Sequence, residues 1–146
     1  MKHHIRRLTA EDCPRLEDLR RAYSAEMSDS EDGTNCSGFA PALLSHPNVL
    51  CWGAFMSAEL VAFAVVFNLP EAISGRWCGL LDDLYVAPEA RRKGLARNLL
   101  ETIFRHGQQE NWTHLRWLVP ETDAPAIALY ERVADEAPWR SFMIYY

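Results

Sequence analysis

Residues 80–104, LLDDLYVAPEARRKGLARNLLETIF, constrain the fold more than any other stretch of the chain. The segment from about Trp77 to Val86 reads as a strand. From Gly94 the pattern changes: Leu95, Leu99, Leu100, Ile103 and Phe104 recur at i, i+4, i+5, i+8 and i+9, the stripe of an amphipathic helix. A strand therefore runs into a helix through a turn that carries Arg91, Arg92, Lys93 and Gly94. Two adjacent acids, Asp82 and Asp83, stand inside the strand, where an unpaired buried carboxylate costs several kcal/mol. Strict alternation sets Leu80, Asp82, Leu84 and Val86 on one face and Leu81, Asp83 and Tyr85 on the other, so the two acids are expected to point opposite ways.

The turn has its own chemistry. The first N–H groups of a helix lack intrahelical acceptors, and the helix dipole adds partial positive charge there, so the spot suits a phosphate or pyrophosphate. Gly94 lets the backbone approach an anion, Ala96 leaves room, and Arg91, Arg92 and Lys93 add attraction. A solvated basic helix start is the competing reading. A P-loop is disfavoured because no Gly-Lys-[Ser/Thr] follows the glycine.

Elsewhere, His4–Leu8 reads as a first strand. Thr9 with Asp12 reads as a capping box, with Asp in place of Glu, that opens a helix to about Glu26. Leu16, Leu19, Ala22 and Tyr23 line that helix. The following EMSDSEDGTNCSG is acidic and rich in turn formers: a loop, either a solvated connector or a rim that attracts substrate. FAPALLS predicts a short helix, and HPNVLCWGAF and ELVAFAVVFN predict a hairpin around Met56–Ala58. THLRWLV predicts a strand, DAPAIALYERV a helix capped by Asp123 with Pro125 in its first turn, and WRSFMIYY a final strand. The order implies one α/β domain over residues 1–146, with antiparallel hairpins first and a β-α-β unit late.

Composition narrows the function classes. A length of 146 residues with 49% hydrophobic and 24% charged residues describes an ordinary folded domain. A net charge of −5 disfavours nucleic acid as a partner and favours cationic small molecules. Cys13, Cys36, Cys51 and Cys78 are widely spaced, with no Cys-x-x-Cys pair and no histidine at ligand spacing, so no metal site is expected; free thiols in a reducing, cytoplasmic setting are. The longest apolar run, Leu60–Phe67, is too short to cross a bilayer, and no membrane association is expected.

Arg91-x-x-Gly94-x-Ala96, preceded by Leu84-Tyr85-Val86 and followed by an amphipathic helix, resembles the pyrophosphate loop of the GCN5-related N-acetyltransferase (GNAT) superfamily. AIALYER resembles the superfamily's late-helix motif. SHPNVLCWGAF, VAFAVVF, LLDDLYV, LVPETDAPAIALYER and PWRSF resemble, in order, segments of its diamine (spermidine/spermine) acetyltransferase branch, covering most of His46–Phe142. There are departures. The branch commonly has Glu-Asp at Asp82-Asp83, and the superfamily often has Asn at Asp123 and Gly at Arg92. The usual Gly-Phe after the late helix is absent.

The resemblance implies the GNAT-like acyl-CoA N-acyltransferase fold, a central, mostly antiparallel sheet with a late parallel β-α-β unit and flanking helices. It also implies acetyl-CoA as co-substrate and a homodimer. The pyrophosphate would sit on Arg91, Arg92, Lys93, Gly94, Leu95, Ala96 and Arg97, with the pantetheine arm along Leu84, Tyr85 and Val86, and Asp123 nearby. The amine arrives as an ammonium and must lose a proton before it attacks a thioester. Asp82 stands at the branch's base position, with Asp83 expected to bind substrate; Tyr130 matches the general acid, or else packs its helix on the sheet. Trp139 and Arg140 are expected at the substrate mouth, although core packing suits Trp139 equally. The implied reaction is acetyl transfer to a primary amine of a small cationic substrate such as a polyamine, diamine or amino-acid-like molecule. A protein lysine or N-terminal acetyltransferase and a weakly active acyl-CoA-binding module are the alternatives.

Overall fold

A five-stranded sheet in the order β1-β2-β3-β4-β5 forms the frame: β1 (His3–Arg7), β2 (Val49–Met56), β3 (Glu59–Glu71), β4 (Arg76–Val86) and β5 (Leu115–Trp117). The structure is a computed structural model and describes residues 2–28 and 38–146. The first four strands pair antiparallel and β5 joins β4 in parallel, as the expected order of hairpins and a late crossover requires. The helices are α1 (Cys13–Ser28), α2 (Ala40–Ser45), α3 (Leu95–Gln109) and α4 (Ala124–Val133). Most of the acidic loop expected after α1 lies outside the described residues.

Local chemistry explains the starts and turns. The Asp12 carboxylate accepts from the Thr9 backbone N–H at 2.7 Å, as the capping box predicts, and also takes Arg6 at 2.9 and 3.0 Å. The β2–β3 turn puts Ser57 and Ala58 at φ 50° and 66°, which gives this hairpin a primed turn without glycine. Two apolar layers sandwich the sheet. One face packs Trp52, Ala54, Ala62, Ala64, Val66 and Leu81 against Leu95, Leu99, Leu100 and Ile103 of α3; the other packs Phe63, Val65 and Tyr85 against Leu16 and Leu19 of α1. The predicted α3 stripe is the buried one. Trp112 lies over Gly79 and Gly107, where an added Cβ would come within 2.5 and 2.7 Å of its ring, and so closes the α3–β5 connection onto β4.

Two expectations need correction. Residues 139–146 form no strand: Trp139, Phe142, Met143, Ile144, Tyr145 and Tyr146 are all exposed. β-propensity alone does not make a strand of a segment that pairs with no edge of the sheet. The alternation in β4 also fails. Val65 pairs with Asp83 while Val66 pairs with Leu81, so Asp82 is an extra, unpaired residue, a β-bulge. Leu81 therefore shares the α3 face with Leu84 and Val86, while Tyr85 keeps the α1 face.

Candidate active site

β4 and β5 pair only from Gly79–Leu81 against Leu115–Trp117. Beyond Leu81, β4 runs on to Val86 without β5 beside it, so the strands part where the bulge puts Asp82. A bulge frees one residue from the ladder and re-aims its side chain, which is why Asp82 is exposed inside an otherwise buried strand. Asp83 is more enclosed, and its pKa is pushed up to about 6. Burial is the largest cause, and the neighbouring Asp82 carboxylate comes next through its charge and a shared hydrogen bond; Arg20 and the Tyr23 hydroxyl pull the other way. The two acids, expected to point apart, thus lie close enough for the Asp82 carboxylate to help hold the Asp83 pKa up.

Three α1 residues for which the sequence suggested no role at the site complete this side. Tyr23 packs edge-on to Tyr85 at 5.0 Å, and its hydroxyl is raised to about 12 by burial first and then by the charges around it, Asp83 foremost. Its position in the apolar stripe of α1 marks it as core, and only the fold brings its polar end to Asp83. Arg20 bonds Glu17 at 2.7 Å, and Glu17 also accepts from the backbone N–H groups of Gly38 and Ala40, tying α1 to α2.

Tyr130 comes from α4, whose N-terminus is capped as predicted: Asp123 Oδ1 accepts from the Ala126 N–H at 3.2 Å. The Tyr130 ring stands edge-on to Trp117 at 5.4 Å. Its pKa is raised, by burial first and then by Asp123, so the phenol keeps its proton through the neutral range and is a donor. The position packs α4 onto β5 through Trp117 and leaves a protonated phenol there.

The turn before α3 has the geometry expected of an anion cradle. Gly94 adopts φ 78° as the α3 N-cap, and nothing lies within 4 Å of where its Cβ would be. Asn98 is the first residue to bond back, to the Gly94 carbonyl at 3.0 Å, which leaves the N–H groups of Leu95, Ala96 and Arg97 without helical acceptors. These features fit a pyrophosphate. Arg92 sits at φ 62°, a left-handed conformation that costs an arginine about 1–2 kcal/mol. The cations divide their roles. Arg91 Nε donates to the Val86 carbonyl at 2.9 Å and its guanidinium meets both Glu26 carboxylate oxygens at 2.9 Å. Lys93 Nζ reaches the Glu89 carbonyl at 3.2 Å, and Arg97 bonds Glu101 at 3.1 Å.

Trp139 and Arg140 are exposed, on the segment that takes no part in the sheet. A cleft of about 350 Å³ between Glu11, Arg15, Phe55 and Glu59 shares no residue with the pair, the cradle or Tyr130. Among the described residues no cluster of His, Cys, Asp or Glu is placed to hold a metal ion, and no helix is long and apolar enough to cross a membrane.

Known proteins share this fold. The structure superposes on a ribosomal-protein-alanine N-acetyltransferase from Brucella melitensis biovar Abortus 2308 with a TM-score of 0.87, at 25% identity and covering 100% of both chains. It also superposes on an aminoglycoside N-acetyltransferase solved in complex with CoA, with a TM-score of 0.79 at 14% identity, covering 99% of this chain and 95% of that one; at that identity the likeness is one of fold. A thialysine N-epsilon-acetyltransferase from Caenorhabditis elegans is 38% identical over 53 residues, which span 36% of this chain and only 33% of that protein. The acetyltransferase (GNAT) family profile matches residues 7–134. A mixed sheet whose parallel pair parts beside a glycine turn and a helix N-terminus is the family's acyltransferase fold, and this chain belongs to the acetyltransferase (GNAT) family, which uses acetyl-CoA.

Proposed function

We propose that this protein, as one acetyltransferase domain over residues 1–146, moves the acetyl group of acetyl-CoA to a primary amine of a small cationic substrate, a polyamine, diamine or amino-acid-like molecule. The observation that carries this reading is the Asp82–Asp83 pair at the point where β4 and β5 part, with one member titrating at about 6. Such a pair attracts an ammonium and takes a proton from it near neutral pH, where a general base works best. The stretch of similarity to a thialysine acetyltransferase and the net charge of −5 support a small cationic amine and the diamine branch.

When bound, acetyl-CoA supplies the thioester carbonyl that the amine attacks. The N–H groups of Leu95, Ala96 and Arg97, with Arg92 and Lys93, hold the pyrophosphate. The free edge of β4 from Leu84 to Val86 receives the pantetheine arm as an added strand. Asp82 holds the ammonium and, with Asp83, accepts its proton. The Tyr130 hydroxyl donates to the leaving thiolate, and Asp123 keeps α4 in place through its cap. Cys13, Cys51 and Cys78 are free thiols, which suits a cytoplasmic protein.

Thiol release from acetyl-CoA over a panel of polyamines, lysine analogues, aminoglycosides and a peptide with an N-terminal alanine tests this. Turnover is expected on polyamines or lysine analogues. The peptide is included because of the likeness to the ribosomal-protein-alanine enzyme, and preference for it would establish the protein acetyltransferase reading instead. Binding without turnover on any amine would reduce the protein to an acyl-CoA-binding module.

A homodimer forms part of the same reading. Among the described residues the outer edge of β5 has no strand beside it, and residues 139–146 carry Trp139, Phe142, Tyr145 and Tyr146 exposed and unpaired with any strand. The aromatics of two such segments offer roughly 1,200–2,000 Å², as much as a stable interface needs. Sedimentation at micromolar concentration should show a dimer, and replacing Phe142 and Ile144 with serine should weaken it. A monomer throughout would reject it.

A further inference from the structure

Arg91 precedes the most strained residue of the cofactor turn, yet its side chain is directed away from the turn. Its Nε holds the Val86 carbonyl at 2.9 Å, its guanidinium carbon stands 5.7 Å from the Tyr85 ring centre, and one terminal nitrogen spans both oxygens of Glu26 at 2.9 Å. The Tyr85 hydroxyl stands near enough to Glu26 that its pKa is raised by burial and then by the Glu26 charge. A carboxylate on the last turns of α1 thus meets the strand that precedes the turn and the first residue of the turn at once. The next residue, Arg92, sits at φ 62° with no ion pair among the described residues, and Gly94 follows at φ 78°. Glycine takes up such a conformation freely; arginine does so only where its neighbours are held.

We propose that Glu26 is a positioning residue for acetyl-CoA: by clamping Arg91 against β4 it holds Arg92 in the left-handed conformation that keeps the N–H groups of the cradle aimed at the pyrophosphate. The reference to acetyl-CoA rests on the functional reading above, whereas the clamp itself is a property of the ligand-free chain. Arg91 then belongs to the support of the loop, and Arg92 and Lys93 are left to meet the phosphates.

The test uses Glu26→Gln, Arg92→Gly and the double variant. In ligand-free protein, Glu26→Gln should speed amide hydrogen exchange at Arg91 and Asn98, whose N–H groups are held by the Pro88 and Gly94 carbonyls on either side of the turn, by about fivefold, the size an exposed ion pair supports. By calorimetry it should weaken CoA binding by about the same factor, while kcat at saturating acetyl-CoA stays within about twofold. Glycine needs no clamp at position 92, so in the Arg92→Gly background the Glu26→Gln effect on both exchange and affinity should fall below about twofold. Unchanged exchange in Glu26→Gln, or an effect undiminished in Arg92→Gly, overturns the proposal. A wild-type protein that binds no CoA overturns the functional reading and the tie to acetyl-CoA, and the exchange measurements then still decide the clamp.

Discussion

Asp82→Asn is expected to lower kcat/KM by roughly a hundredfold, the usual cost of losing a general base, and Asp83→Asn by a comparable factor because Asp83, raised to about 6, is poised to take a proton near neutral pH. The pH profile separates their roles. In the wild type the rate should rise with pH through about 6, as Asp83 loses its proton. The Asp82 charge helps to hold that pKa up, so in Asp82→Asn the limb should move toward the ordinary carboxylate range. A limb that stays in place would break the coupling. If Asp82 serves only to attract the cation, its loss should mainly raise KM and added salt should mimic it.

Stability should respond in the opposite sense to activity. Asp83 has a folded pKa raised above its unfolded value, so its contribution favours the folded state below about pH 4 and is lost as pH rises through about 6. At pH 7 the ionised, half-enclosed carboxylate is a net cost. Asp83→Asn should therefore raise Tm at pH 7 by about 3–5 °C if about 1 kcal/mol is relieved after allowance for solvent screening. The gain should vanish near pH 4. A Tm that falls at pH 7 would mean the charge is better compensated than Arg20 and Tyr23 make it.

Gly94→Val should weaken acetyl-CoA binding tenfold or more, about 1.4 kcal/mol. Space alone would tolerate the side chain, since nothing lies within 4 Å of the Cβ position. The backbone would not: φ 78° is a conformation that a β-branched residue adopts only under strain, so the turn must rearrange and carry its N–H groups with it. Gly94→Ala, with less branching, should fall between the two. Binding unchanged in Gly94→Val would remove the cofactor from this turn.

The parts of this architecture that could be read beforehand are those set by neighbours in sequence. The α3 stripe from Leu95 to Phe104, the Thr9–Asp12 box, the Asp123 cap and the hairpin around Ser57 are local, and the structure has each of them. The bulge at Asp82 is not local. It is decided by how β3 pairs across Val65 and Val66, and the flanking sequence is apolar on both faces, so period-two reading gives no warning. The site contacts of Glu26, Arg20 and Tyr23 were hidden for the same reason, since their partners lie on β4 and the turn before α3. The apolar segment 139–146 reads as a strand by propensity, but a strand also needs an edge to join.

No residue after Gly107 is fully buried. β5 is three residues long, and α4, which carries Tyr130, adds only partly buried side chains to the core that α3 and the four antiparallel strands complete without it. A unit with so little enclosed apolar surface separates from its neighbours at a fraction of the global unfolding cost. The proposed general acid, Tyr130, is thus mounted on a weakly anchored piece of the molecule, whereas the carboxylate pair and the Gly94 turn belong to the part that the buried core holds, so local opening of α4 would bare the proposed site without disturbing either.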